Sequence, residues 1–373
     1  MSDERQRRWR LVLGAEAALD VRLSVEEAAM DEALAAVYDA ERSAGLDSSA
    51  PAVSRWLGDI RTYFPSSVVR VIQQDALERL GLRRMLLEPE LLSQVEPDVH
   101  LVATLISLGS VIPARTRETA RQVVRGVVED LERRLANPLR QAVLGSLSRA
   151  QRSRRPRAAE IDWDRTIRAN LKHYQAEHST VIPDRLIGFG RRRRALKDVI
   201  IAIDQSGSMG PSVVHSSVMG AVMASLPAVR TRLVVFDTAV VDMTDRLQDP
   251  VDLLFGVRLG GGTDIGRALE YCQGLVTRPA DTVMVLVSDL FEGGARDGLL
   301  RRAASLAGSG VRLVALLALG DSGRPAYDHD LAAALHGLGV PAFACTPDLV
   351  PELMAAALDG RDLNQWAAAR ELT

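Results

Sequence analysis

Apolar residues recur along this chain with two different spacings, and the change of spacing divides the chain into two regions. Up to about residue 150 they return every three or four positions, which is the spacing of one face of a helix. The pattern is clearest from Thr116 to Leu135, where a stripe of valines and leucines opposes a charged face. Near the start, Ser24 with Glu27 three residues later matches a capping box. We therefore predict an all-α amino-terminal domain over residues 1–150.

From residue 196 onward, short uninterrupted apolar runs alternate with helical stretches. Val199 to Ile203 and Thr282 to Ser288 are rich in β-branched residues, as in strands that are buried on both faces. Further strands are predicted at 232–237, 240–243, 311–319 and 342–345, with helices between them. Strands that alternate with helices of this length are typical of a doubly wound, mostly parallel sheet. The fold class predicted for residues 196–373 is therefore α/β.

Residues 151–195 join the two regions and are rich in arginine. Five arginines lie between Arg149 and Arg157 and four fill positions 191–194, with no acidic residue in either run. Such runs are typical of a solvated linker, and a docking surface for an acidic partner protein is the alternative. Between the runs, residues 161–174 predict a short amphipathic helix and residues 180–187 a strand-like segment. Nucleic acid is not expected as a partner, because no aromatic residues are interleaved at a stacking spacing.

The amino-acid composition excludes only a few classes of function. The chain has 373 residues, of which 47% are hydrophobic and 25% charged, and a net charge of −2, as in ordinary soluble globular proteins. Its two cysteines, Cys272 and Cys345, exclude a disulfide framework and are expected to be core residues in a reducing compartment. The first residues lack the apolar core of a secretion signal, and no apolar run approaches the roughly 18 residues of a membrane helix. We expect a cytoplasmic protein without membrane contact.

Oxygen-bearing side chains follow the predicted strands at three loops. Asp204, Ser206 and Ser208 come at the end of the first buried strand. Thr263 follows a glycine run, and Asp289 follows the second buried strand. Because ligands of open α/β sheets bind at the carboxyl ends of the strands, we expect these loops to lie together. Five oxygen donors without imidazole or thiolate suit a hard divalent cation, so we predict a Mg²⁺ site, which Mn²⁺ or Ca²⁺ could also occupy.

These five residues resemble the metal-ion-dependent adhesion site of von Willebrand factor type A (VWA) domains, in residue type and in order. In that family the hydroxyls and aspartates hold Mg²⁺ directly or through water. An open coordination position then accepts an Asp or Glu carboxylate from a partner protein. The resemblance covers about residues 196 to 358 and implies a VWA fold for the carboxyl-terminal domain, residues 196–373.

A second resemblance lies in the segment Arg165-Thr-Ile-Arg-Ala-Asn-Leu-Lys172, which is followed by the arginine run and the metal strand. This arrangement is similar to bacterial CoxE-like proteins, in which a helical amino-terminal region is joined to a VWA domain. Members are commonly associated with MoxR-type AAA+ ATPases, so the resemblance implies such an ATPase as a partner. The sequence contains no Gly-x-x-x-x-Gly-Lys-Ser/Thr motif, and nucleotide hydrolysis would therefore come from the partner.

Two other functions stay open at this point. A Mg²⁺-dependent phosphoaspartyl-type hydrolase also carries an Asp after its first strand, but haloacid-dehalogenase-like enzymes need a second Asp where Ser206 stands. A nucleophile elbow would need a glycine at that same position. A metal-free scaffold is the third reading, although all five ligand types are present. We expect a metal-dependent protein-binding adaptor, not an enzyme, that works with an AAA+ ATPase in the assembly or remodelling of protein complexes.

Overall fold

The structure, a computed structural model, describes residues 3–13, 22–38, 50–79, 86–109, 111–148, 152–153, 161–189, 196–257, 259–319 and 326–370. The arginine run 191–194 and most of the run 149–157, predicted to be a solvated linker, lie outside these residues. The helices are α1 (Asp3–Leu13), α2 (Val25–Tyr38), α3 (Ala50–Tyr63), α4 (Ser66–Arg79), α5 (Pro89–Leu92), α6 (Val99–Ser107), α7 (Ala114–Ser148), α8 (Trp163–Ala169), α9 (Gly210–Ala224), α10 (Pro250–Gly256), α11 (Ile265–Leu275), α12 (Arg296–Gly308), α13 (His329–Gly337), α14 (Val350–Asp359) and α15 (Leu363–Ala368). The strands are β1 (Arg152–Ser153), β2 (Tyr174–Gln175), β3 (Thr180–Val181), β4 (Gly188–Phe189), β5 (Lys197–Asp204), β6 (Val229–Phe236), β7 (Val240–Asp242), β8 (Thr282–Val287), β9 (Arg312–Leu319) and β10 (Ala342–Cys345).

These elements form two compact units that interleave along the sequence. The first, here called the helical unit, comprises Met1–Glu132, Gln205–Val218 and Asp249–Gly261. The second, here called the sheet unit, comprises Arg133–Asp204, Met219–Gln248 and Gly262–Thr373. Two segments that follow the first buried strand in sequence therefore belong to the helical unit.

The capping box predicted at the start of α2 is present in the structure. The backbone N–H of Glu27 donates to Ser24 Oγ at 3.2 Å, and the N–H of Ser24 donates to Glu27 Oε2 at 2.8 Å, which is the capping box that starts α2. Trp56 of α3 is buried, and its indole N–H donates to the carbonyl of Ala33 at 2.9 Å. The predicted helical character of the amino-terminal region is confirmed, and α7 runs on through Pro138 to Ser148.

Two contacts join the later segments of the helical unit to its helices. Arg121 of α7 donates to Asp252 of α10 at 2.6 Å, and its guanidinium lies 5.3 Å from the centre of the Phe255 ring. At the start of α9, a Cβ added to Gly210 would lie 2.9 Å from the Cβ of Ala103 in α6. Only glycine permits that approach, so α6 packs directly against the first turn of α9.

A six-stranded sheet in the order β10-β9-β8-β5-β6-β7 forms the centre of the sheet unit. All neighbours are parallel except β6 and the edge strand β7. Helices α11, α12 and α13 bury their apolar residues against one face, where Ile200 and Ala202 of β5 lie. On the other face, Gly220 of α9 allows close approach to Leu233. The predicted α/β fold with a doubly wound, mostly parallel sheet and a helical amino-terminal region is confirmed.

The strand-like prediction for residues 180–187 is wrong beyond β3. Only Thr180 and Val181 pair with another strand, and the backbone from 184 to 187 instead bonds to side chains of Thr166 and Asn170. Pro183 has no N–H to donate to a strand ladder, so the change of partner begins there.

None of the helices in the described part of the chain is both long enough and apolar enough to cross a membrane. This finding includes α7, whose 35 residues carry charged side chains along most of its length.

The two thiols provide a test of the core. Cys272 and Cys345 are buried, and burial raises the pKa of each thiol to about 12. We expect neither to react with a thiol reagent at pH 8 in the native protein, because the thiolate is the reactive form. Both should react once the protein is unfolded in guanidinium chloride. Reaction of a thiol within minutes under native conditions would contradict this packing.

Candidate functional site

Asp204, the last residue of β5, is fully buried at the centre of the sheet. Ile203 pairs with Val287 of the neighbouring strand β8, so the residue after β8 comes to lie beside Asp204. That residue is Ser288, whose Oγ donates to Asp204 Oδ2 at 2.7 Å and accepts from the N–H of Leu290 at 3.0 Å. Since a serine hydroxyl has one proton, the bond from Leu290 fixes its direction, and the Asp204 carboxylate is held in place.

The turn after β8 is built on an uncommon backbone conformation. Leu290 is fully buried and has φ of +65°, in the left-handed region that bulky residues rarely adopt. Before it, Asp289 is 5% exposed, and its carbonyl accepts from the N–H of Asp328 at 3.0 Å. After it, the side chain of Phe291 is 54% exposed. Such strain persists where the surrounding structure fixes it and concentrates at functional sites, which marks this turn as a candidate.

Thr263 is joined to the same turn through the backbone. The N–H of Gly293 donates to the carbonyl of Thr263 at 2.8 Å, and a Cβ on Gly293 would lie 2.9 Å from that oxygen. The threonine itself is 7% exposed and precedes Asp264, the residue that caps α11. A glycine at 293 is therefore required for the loop after β8 to approach Thr263.

Asp264 and Glu292 are half-buried and are fixed by hydrogen bonds at the start of α11. Asp264 caps the helix by accepting from the N–H of Arg267 at 2.7 Å. Glu292 accepts from the N–H of Ile265 at 2.7 Å and from that of Gly294 at 3.0 Å. Burial raises the pKa of Glu292, and these backbone bonds oppose the shift. Their role in the structure is to hold α11 against the turn after β8.

Ser206 and Ser208 lie in the helical unit, two and four residues after Asp204 in the chain. Their hydroxyl oxygens are 3.3 Å apart across a short 3₁₀ turn, Gly207–Met209, and Ser208 is exposed. The carbonyl of Gln205 accepts from the N–H of Gly260 at 2.9 Å. Gly260 has φ of +115°, a conformation that essentially only glycine adopts.

Each unit contains some of the predicted ligands. Within the sheet unit, Asp204 and Thr263 are each hydrogen-bonded to the turn that contains Asp289, and within the helical unit Ser206 lies beside Ser208. Across the described ranges, no three His, Cys, Asp or Glu side chains come together in a way that could hold a metal ion. A cation here would therefore depend on hydroxyl oxygens as well as carboxylates. This all-oxygen donor set fits Mg²⁺, which prefers hard ligands and retains water.

A cavity of about 300 Å³ lies beside the serine loop inside the helical unit. It is lined by Gly207 and Pro211 of that loop and by Gln73 and His100 of the helices. Gln73 is buried, and its Oε1 accepts from the N–H of Glu96 at 3.0 Å, which fixes the orientation of the amide. No local pattern in the sequence distinguishes Gln73 or His100, because the cavity arises only when distant helices meet.

Comparison with known proteins decides the family. Residues 133–354 match the family of VWA domain containing CoxE-like proteins. The chain belongs to this family. The match covers more than half of the chain, and it confirms the resemblance on which the VWA fold was predicted.

Relatives of this VWA protein include YehP of Escherichia coli (strain K12), described as an uncharacterized protein. The two sequences are 37% identical over 352 residues, which cover 91% of this chain and 93% of YehP. Among solved structures, BatB from Bacteroides thetaiotaomicron is 16% identical, with a TM-score of 0.34 over 46% of this chain and 99% of that chain. A von Willebrand factor type A protein from Catenulispora acidiphila is 17% identical, with a TM-score of 0.32 over 46% of this chain and 44% of that chain.

The bond between Ser288 and Asp204 can be tested by the Ser288→Ala variant. Removing a donor from a buried carboxylate should lower the free energy of unfolding by about 1–3 kcal/mol, measured by urea denaturation. Ser225→Ala is the matched control, because Ser225 is exposed and its hydroxyl donates only to the carbonyl of Val222 within its own helix turn. It should change stability by less than about 0.5 kcal/mol. Equal effects of the two substitutions would contradict a special role for Ser288.

Proposed function

We propose that this VWA protein is a metal-dependent adaptor. In this proposal Asp204, Ser206, Ser208, Thr263 and Asp289 hold a Mg²⁺ ion, and a partner protein supplies an Asp or Glu carboxylate to it. The observation that carries the proposal is the oxygen-only donor set at the end of the central strand, with Asp204 held by Ser288. When bound, the cation offers the partner's carboxylate a positive centre, which makes a charge-assisted contact in a desolvated place.

Membership of the VWA family supports a protein-interaction module of the VWA type in general. The surroundings of Asp204 favour protein binding over catalysis. The hydroxyl of Ser288, which donates to it, is fully buried and already makes two hydrogen bonds. A nucleophile needs access to substrate and a base to receive its proton, and Ser288 has its proton directed at a buried carboxylate.

Phe291 gives the proposed interface an apolar contact. It lies two residues after Asp289 and is 54% exposed, whereas Leu290 between them is fully buried. Aromatic side chains that become buried on binding contribute strongly to interfaces. We include Phe291 in the surface that the partner covers when its carboxylate reaches the metal.

The proposed partner is a MoxR-type AAA+ ATPase. The support is the CoxE-like family relation together with the lack of a phosphate-binding Gly-x-x-x-x-Gly-Lys-Ser/Thr motif in this sequence. The adaptor would recognise a target or position the ATPase in the cytoplasm, and the ATPase would supply the energy for assembling or remodelling a protein complex.

The metal proposal is tested with the full chain and two variants, Ser206→Ala and Asp204→Ala. Calorimetric titration with MgCl₂ should show one site in the wild type and at least about tenfold weaker binding in each variant, because each loses an oxygen ligand. A pull-down with the purified MoxR-type ATPase of the same genome should retain the ATPase in Mg²⁺ and lose it in EDTA. Asp297→Ala, an exposed aspartate in the first turn of α12, is the control and should behave as wild type.

Two results would contradict the metal proposal. One is a protein that binds no divalent cation, which would leave a metal-free scaffold. The other is ATPase binding that neither EDTA nor the ligand variants change.

Phe291→Ala separates partner contact from metal binding. Because the side chain is exposed, the variant should fold normally and bind Mg²⁺ as tightly as wild type. Its affinity for the ATPase should fall by about tenfold, the effect of losing one buried aromatic contact. Unchanged affinity for the ATPase would exclude Phe291 from the interface.

A further inference from the structure

Helix α8 and the turn after it present their polar side chains inward and their apolar side chains outward. Thr166 and Asn170 are 1% and 2% exposed. Trp163, Ile167 and Leu171 are 54%, 44% and 58% exposed. Residues four apart lie on one face of a helix, so each set forms its own row. Helices on the surface of globular proteins normally bury the apolar row, and α8 does the reverse.

The inward side chains, Thr166 and Asn170, make hydrogen bonds to the backbone of segment 184–187. Thr166 Oγ1 donates to the carbonyl of Ile187 and accepts from its N–H, both at 3.0 Å. Asn170 Oδ1 accepts from the N–H groups of Asp184 and Arg185 at 3.1 Å, and Asn170 Nδ2 donates to the carbonyl of Arg185 at 2.8 Å. These bonds hold the polar side of the helix against segment 184–187. The apolar side chains are therefore fixed in an outward orientation.

Further exposed apolar residues follow in the hairpin of β2 and β3. Tyr174 and Ile182 are each 55% exposed, and Tyr174 pairs with Val181, the residue before Ile182. Single exposed apolar residues are ordinary on protein surfaces, but a row kept outward by buried polar contacts marks an interaction site. We call Trp163, Ile167 and Leu171 the outward face.

Charge indicates what covers the outward face. Arg165, Arg168 and Lys172 are exposed on the same element, where Arg168 pairs with Asp164 at 2.9 Å and Arg165 with Asp162 at 3.7 Å. Exposed ion pairs of this kind are weak, so carboxylates of a partner can compete for these side chains. In sequence, positions 149 to 196 contain 13 Lys or Arg against five Asp or Glu, and the excess comes from the two arginine runs that flank the segment, 149–157 and 191–194. A partner that meets this segment with apolar side chains should therefore flank them with acidic ones.

We propose that the outward face is a second docking surface, which binds an acidic amphipathic segment of a partner protein. Its apolar residues would contact Trp163, Ile167 and Leu171, and its carboxylates would contact the neighbouring Arg and Lys side chains. Three apolar side chains at four-residue spacing match the contact row of a second helix. None of these residues is a proposed metal ligand, so binding here is independent of divalent cations.

A phage-displayed library of random peptides of about 16 residues, some four helical turns, tests the proposal. The library is panned on the full chain in EDTA, with the W163S/I167S/L171S variant as counter-selection. We expect enriched peptides with apolar residues at helical spacing and an excess of Asp and Glu. A synthetic peptide of that sequence should bind at least about tenfold more weakly to the triple variant and to R165E/R168E/K172E. V68S/V71S/V111S, which removes three exposed valines elsewhere, should bind it as wild type does.

Several outcomes would overturn the proposal. Panning that enriches nothing over the triple variant, or enriches peptides without acidic residues, contradicts an acidic partner segment. Binding of phosphatidylserine vesicles or single-stranded RNA that the triple variant abolishes, without peptide enrichment, assigns the face to a membrane or to nucleic acid. A dimer in sedimentation that only the triple variant dissociates assigns it to a second copy of this chain. Because the experiment is run in EDTA, failure of the metal proposal does not affect it.

Discussion

A carboxylate buried at the end of the central strand is the constraint on which the candidate site depends. Asp204 is fully buried, and a charged group in that position is costly unless it is hydrogen-bonded. Ser288 supplies one such bond, and the N–H of Leu290 orients Ser288 through the left-handed turn. The same turn continues to Gly293, which bonds to Thr263. A chain of hydrogen bonds thereby links one buried carboxyl group to the turn after β8 and to the loop before α11.

The sequence was sufficient to predict the strands of the main sheet and the helical character of the amino-terminal region, because both follow from local physical chemistry. Uninterrupted β-branched runs are typical of strands that are covered on both faces, and β5 and β8 are such strands. The start of α2 was readable from two residues, Ser24 and Glu27. The order of oxygen-bearing residues after the strands was also sufficient to predict the family, which the comparisons confirm.

The long-range polar contacts were not predictable, because they join residues that no local pattern relates. Ser288 and Asp204 are 84 positions apart, and Glu292 reaches Ile265 over 27 positions. The orientation of α8 could not be predicted from the sequence for a different reason. Its residues predict an amphipathic helix with either face inward, and the face that is buried depends on Ile187 and Arg185 as partners for Thr166 and Asn170. Sequence periodicity gives the two faces of a helix, and tertiary partners decide between them.

The interleaving of the two units bears on where this chain can be truncated. Gln205–Val218 and Asp249–Gly261 occur within the VWA part of the sequence, yet they pack with the amino-terminal helices through the Arg121–Asp252 ion pair and the contact of Gly210 with Ala103. A fragment that begins at residue 196 would carry these segments without the helices that they pack on. Such a fragment would uncover the face of Gly210 that contacts Ala103 and leave Asp252 without Arg121. Substitutions at Ala103 or Arg121 would therefore act on the segments that follow β5 and precede Thr263, next to the residues proposed to hold the cation.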